Sequence, residues 1–107
     1  MTDELNNLVT LIKQSTDFQT NKRILREKIQ TDLHFAYNGG LFKADPAIYS
    51  FVLLWKGDTD AFFLEDVYNN PIKIIQQEFI ELFTQHYQTQ MNEWHIQQEE
   101  IRRTRKI

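Results

Sequence analysis

Apolar residues recur along this chain at helical spacing near both ends and give way to a mixed pattern between them. Leu5, Leu8, Val9 and Ile12 share one helical stripe, with Thr2 in the N-cap position and Asp3 and Glu4 in the positively polarised first turn. This predicts a first helix ending near Ser15-Thr16. A second stripe of Leu25, Ile29, Leu33, Ala36 and Tyr37 predicts a second helix from about Asp17 or Thr20 through Tyr37. Asn38-Gly39-Gly40 should stop it, since glycine supplies the positive φ of a C-terminal cap.

The middle of the chain changes rhythm. Leu41-Phe42-Lys43 predicts a short strand. Ile48 to Trp55 is rich in strand formers, yet Asp45-Pro46 is an N-cap and first-position pair and Gly57 a C-cap, so the prediction is a short buried helix from Pro46 to Lys56. Ala61 to Val67 and Ile72 to Ile75 flank Tyr68-Asn69-Asn70-Pro71, which reads as a hairpin with asparagine taking the left-handed turn position. Pro71 cannot donate to a ladder and places the second arm at an edge.

From about Gln76 to Arg105 there is neither Gly nor Pro, and one long helix follows. Phe79, Leu82, Phe83, His86 and Tyr87 mark its inner half, while Ile80, Tyr87, Trp94 and Ile101 repeat every seven residues with Met91 on the same seam. The fold class is therefore α+β in a single domain, 1–107. It comprises a helical pair (1–40), a short helix plus hairpin (41–75) with a small two- or three-stranded antiparallel sheet, and the long C-terminal helix (76–107). Thirty helical residues span about 45 Å, whereas a compact chain of this length has a radius of gyration of about 13 Å. The last helix should outrun its domain, and its distal half must pack on the N-terminal helices, on a second copy or on another protein.

Composition narrows what the chain does. The 107 residues carry fifteen acidic against twelve basic side chains, a net charge of −3. The excess sits wholly between residues 41 and 71, where two cations face five carboxylates; the flanking segments each balance five against five. That is far from the basic surplus of a typical nucleic-acid binder. There is no cysteine, which removes disulfides, thiolate metal sites and thiol catalysis and suits a reducing compartment. No apolar run reaches the ~20 residues of a membrane span, and Met1-Thr2-Asp3-Glu4 lacks the positive start of a signal peptide. The expectation is a soluble protein with no membrane association.

Catalytic patterns are missing. His86 and His95 point to opposite sides of one helix, so His34 would have to join one of them through the tertiary fold. Neither Ser15 nor Ser50 sits in a nucleophile elbow, and Gly39-Gly40 lacks the Lys-Ser/Thr of a phosphate loop. Gly57-Asp58-Thr59-Asp60 lacks the spacing of a calcium loop and reads as loop acidity. The reading is no enzyme, no cofactor and no metal.

Binding candidates remain. Met91, Trp94 and Ile101, followed by Arg102, Arg103 and Arg105, make an aromatic-anchored seam with a basic end, suited to a protein partner or to self-association through the C-terminal helix. Packing of Trp94 onto the first helix is the competing reading. Lys22, Arg23, Arg26 and Lys28 form an alternative nucleic-acid patch, although they spread round more than half the helix and Glu27 interrupts them. Glu99 is spaced to pair with Arg103.

Asn21-Lys22-Arg23-Ile24-Leu25-Arg26-Glu27-Lys28-Ile29, Ala36-Tyr37-Asn38-Gly39-Gly40-Leu41-Phe42, Leu64-Glu65-Asp66 with Asn70-Pro71-Ile72, and Met91-Asn92-Glu93-Trp94-His95 together resemble a group of short uncharacterised proteins of large contractile-tailed phages, especially those infecting cyanobacteria. The resemblance covers about residues 20 to 105 and carries no functional residues. It implies a phage-encoded protein acting in the host cytoplasm or the virion. The expected function is a non-enzymatic protein–protein interaction module in virion assembly or host takeover; the alternative is a nucleic-acid-associated accessory protein using basic helix faces.

Overall fold

The computed structural model describes residues 2–105, with side chains through Arg103. Thr2–Asp32 form one continuous helix, α1, where the sequence pattern predicts two. The predicted break at Ser15-Thr16 does not occur because short polar side chains are absorbed within the helix. Thr10 Oγ1 donates to Asn6 O and Thr16 Oγ1 to Ile12 O, each at 2.9 Å. With no Gly or Pro in the segment, nothing interrupts the ladder.

α1 also ends five residues earlier than the stripe through Tyr37 suggests. His34–Tyr37 (β1) instead pairs antiparallel with Gly40–Lys43 (β2), with Phe35 opposite Phe42 and Tyr37 opposite Gly40. Asn38 (φ 47°) and Gly39 (φ 83°) form the two-residue turn between them. Positive φ is needed here, but by a hairpin whose handedness matches strand twist, not by a helix cap.

Pro46–Leu54 form α2, started as expected by Asp45, whose carboxylate accepts from Ala47 N at 2.8 Å. It stops at Leu54 with Trp55 as C-cap, short of the predicted Lys56 and Gly57. The Gln76 side-chain amide explains the early stop, donating to Val52 O at 2.8 Å and Trp55 O at 3.2 Å and so satisfying carbonyls that the helix end leaves open. Ala61–Glu65 (β3) and Pro71–Ile75 (β4) form the predicted hairpin, Ala61 opposite Ile75 and Leu64 opposite Ile72, with Asn69 at φ 64° in its turn. Gln76–Arg105 then form α3.

The architecture is α+β, its strands arranged as two separate two-stranded sheets. The hairpins meet where Gly40 lies against Ile72; a β-carbon there would come 2.6 Å from Ile72 Cγ1, so any larger residue would have to push the Ile72 side chain aside. An aromatic cluster fills the space between hairpins and α3: Phe35, Tyr37 and Phe42 lie 5.5, 5.5 and 5.2 Å, centroid to centroid, from Phe79. Ile29, Val52 and Ile74 are fully buried around it. From this head α3 runs back antiparallel along α1, giving a rod-and-head shape of 75 × 23 × 20 Å with a radius of gyration of 20.6 Å.

Candidate interaction surface

The rod is held by one face of each helix. α1 contributes the buried Leu25 and Ile29 and the half-buried Phe18 and Gln14, and α3 contributes the half-buried Tyr87, Met91, Trp94 and Ile101. Where the two helices enter the head, His86 Nε2 donates to Asp32 O at 2.6 Å and His34 Nδ1 to Thr31 O at 2.9 Å. Both imidazoles thus serve carbonyls at the C-terminal end of α1. His95 is exposed on the far side of α3. Among the described residues no group of three His, Cys, Asp or Glu side chains is placed to hold a metal ion.

Of the three surfaces open to the distal half of α3, the fold supplies α1. Met91, Trp94 and Ile101 are therefore packed against the chain's own core and do not form a free patch. Trp94 Nε1 and Gln14 Oε1 are both shielded from solvent and find no hydrogen-bond partner among the described residues. Arg102 and Arg103 are exposed, and Arg102 reaches Glu99 at 3.6 Å where the spacing suggested Arg103. The side chain of Arg105 lies outside the described residues.

Register shows what α1 leaves uncovered. With Asp32 level with His86 and both helices rising about 1.5 Å per residue, Arg105 lies level with about Lys13. The turns of α1 before Lys13 therefore project past the described end of α3, and every residue from Thr2 to Lys13 is exposed. Five large aliphatics sit there: Leu5 is 61% exposed, Leu11 59%, Ile12 58%, Val9 56% and Leu8 54%. Leu11 extends the α3-facing side. Leu5, Leu8, Val9 and Ile12 centre roughly 130° further round the helix than Phe18, Leu25 and Ile29, so a longer α3 would not cover them. The stripe itself is legible in the sequence. Its angular offset from the Leu25–Ile29 stripe is the signal that marks it as facing elsewhere.

The basic cluster is exposed throughout, and Arg23 is engaged by Glu27 at 3.3 Å, an i,i+4 surface pair. Lys28 faces away from Lys22, Arg23 and Arg26, so the four do not form one patch. A groove of about 250 Å³ opens beside α2, lined by Pro46, Tyr49, Phe83, Thr84, Tyr87 and Gln88. Its floor is a ladder in which Phe83 stacks on Tyr49 at 5.1 Å and on Tyr87 at 5.9 Å. It falls below the ~300–1,000 Å³ usual for small-molecule sites. On the head, Phe51, Leu53 and Leu54 at the end of α2 and Phe63 on the outer face of β3 are also exposed.

Among the described residues no helix is long and apolar enough to cross a membrane. No protein-family model, curated protein or solved structure matches the chain.

Proposed function

We propose that the protein is a non-enzymatic protein–protein interaction module that docks through the projecting first turns of α1. One observation carries the reading: five aliphatic side chains, each more than half exposed, crowd a helical segment that none of the described residues covers. The segment is held only by its continuity with the supported turns of α1, so a partner covering its apolar face would add to its stability. The arginine-bearing end of α3 stands beside it and adds charge to an otherwise apolar surface. Such docking would serve virion assembly or host takeover if the phage resemblance noted in the sequence is a true relationship.

A photo-crosslinking residue at position 9 tests this in the cell that encodes the protein. The expected result is a protein adduct from position 9 and none from Ser50, which is exposed on the head. No adduct from position 9, or equal labelling from both positions, overturns the reading.

A further inference from the structure

The ladder between β3 and β4 decides which backbone groups face outward. Gln76 N donates to Asp60 O and Asp66 N to Asn70 O, so the pairs that exchange hydrogen bonds are Phe62 with Ile74 and Leu64 with Ile72. The N–H and C=O groups of Ala61, Phe63 and Glu65 therefore point away from β4, and those of Lys73 and Ile75 point away from β3.

The fold answers most of these groups itself. Tyr37 Oη accepts from Ile75 N at 3.0 Å, Asn38 Nδ2 donates to Lys73 O at 3.1 Å, and Thr59 Oγ1 donates to Ala61 O at 3.1 Å. On the outer edge of β2, the Asp66 carboxylate and Val67 N serve both groups of Leu41. Among the described residues nothing pairs with the outward N–H and C=O of Phe63 and Glu65, which are spaced as a further strand requires.

We propose that this edge of β3 is a strand-addition site for an extended segment of another protein that carries an apolar residue between basic ones. The open groups specify the backbone. In antiparallel addition one visiting residue exchanges both hydrogen bonds with Phe63, and the residue two before it exchanges both with Glu65. Phe63, 68% exposed on the outer face, offers the first of these an aromatic neighbour, and the Glu65 side chain stands beside the second. Asp60, exposed at the start of the strand, falls opposite the residue three after the central one. From Lys56 to Glu65 the exposed charges are Lys56 against Asp58, Asp60 and Glu65, so the surroundings attract a cationic segment. The same charges oppose a second copy, because β3 laid antiparallel on itself about Phe63 sets the acidic segments side by side, with Asp60 opposite Asp66. β1 leaves the groups of His34 and Ala36 open by the same parity, but offers a visitor only a methyl group and an imidazole that serves Thr31 O. The site is separate from the projecting turns of α1 and stands or falls independently of docking there.

Titration of the nitrogen-15-labelled full chain with the blocked peptide Thr-Lys-Thr-Val-Thr-Thr-Lys-Thr, followed by backbone amide shifts, tests this. Val is the residue set opposite Phe63. The amides of Phe63 and Glu65 should shift most and that of Ala36 not at all, with dissociation at about 0.1–1 mM, in keeping with four backbone bonds. N-methylation of Val removes the donor to Phe63 O and should abolish binding. N-methylation of the Thr that follows, whose N–H points away from β3, should leave affinity within about threefold. Replacing both Lys by Glu should abolish binding, and Glu65→Lys in the protein should weaken the Lys peptide about tenfold and admit the Glu peptide. Glu65 also accepts from Asn69 in the turn, so Phe63→Ala, on the exposed face, is the second variant; it should weaken the peptide while the head melts unchanged. No shift at Phe63 and Glu65 with the peptide at about 5 mM, equal binding of the two N-methyl peptides, or equal binding of the Lys and Glu peptides overturns the proposal.

Discussion

At Asp66 one buried carboxylate ties the two hairpins together. Its Oδ2 accepts from Leu41 N at 3.1 Å in the first hairpin, and its Oδ1 accepts from Tyr68 N at 3.0 Å and Asn70 N at 2.9 Å in the second. The turn is closed by the backbone bond from Asp66 N to Asn70 O, and Val67 N, donating to Leu41 O, adds a second link between the hairpins. The hydrogen bond from Asn70, with those from Leu41 and Tyr68, holds the carboxyl below its ordinary value of 3.8 against the opposing effect of burial. Around that pH the folded protein binds fewer protons at this site than the unfolded chain does. The stabilisation is therefore complete above pH ~4 and drains away as pH falls through the lowered folded value. Asp66→Asn should lower the thermal midpoint at neutral pH and flatten the acid limb of the stability profile below pH ~4. Thermal melts at pH 2.5 to 7 check this, and a variant with an acid limb as steep as wild type would show that the loss belongs to other carboxylates. In sequence, Asp66 reads only as one of several loop acids; its partner Leu41 is 25 residues away, a separation local patterns do not span.

Elements started or stopped by their own neighbours are the legible ones. Asp45-Pro46 opens α2 and Asn69 turns the second hairpin because cap and turn chemistry act within a few residues. Asn38-Gly39 carries a true requirement for positive φ that a helix cap and a hairpin satisfy equally; only pairing with β2 decides between them. The end of α2 is set by Gln76 from more than 20 residues away, and so reads wrongly from Gly57. The rod is the same kind of case: a seven-residue repeat announces a seam on α3, but not that one uninterrupted α1 fills it. Trp94 therefore belongs to intramolecular packing. Trp94→Ala should cost about 2–3 kcal/mol by opening a cavity in the seam, whereas Trp94→Phe, which also removes the unpartnered Nε1–H, should cost less than about 1 kcal/mol. Urea titrations of both variants measure the gap. Equal losses would mean that the indole nitrogen has an acceptor in solution and that ring size matters little.

Across the whole molecule, packing density falls from head to tip, and stability should follow it. The head concentrates the buried aromatics between the hairpins and α3, the middle of the rod is closed on one side of each helix, and the turns before Lys13 are exposed among the described residues. Backbone opening free energies grade with buried contact, so three levels of hydrogen exchange are expected. In the free protein the amides from Leu5 to Ile12 should exchange close to the rate of an unstructured peptide. Those from Leu25 to Ile29 should be intermediate or slow, and those of Phe42, Ile74 and Phe79 should be slowest. Binding of a partner at the stripe should protect Leu5 to Ile12 selectively and leave the head unchanged. Strong protection of the tip in the free protein would mean that it folds back on its own rod, which the radius of gyration would also register. A monomer shaped like this one scatters near 20.6 Å, against about 13 Å for a compact chain of equal length. Exchange and scattering together thus separate an extended monomer whose tip is ordered by association from a compact one whose tip is already covered.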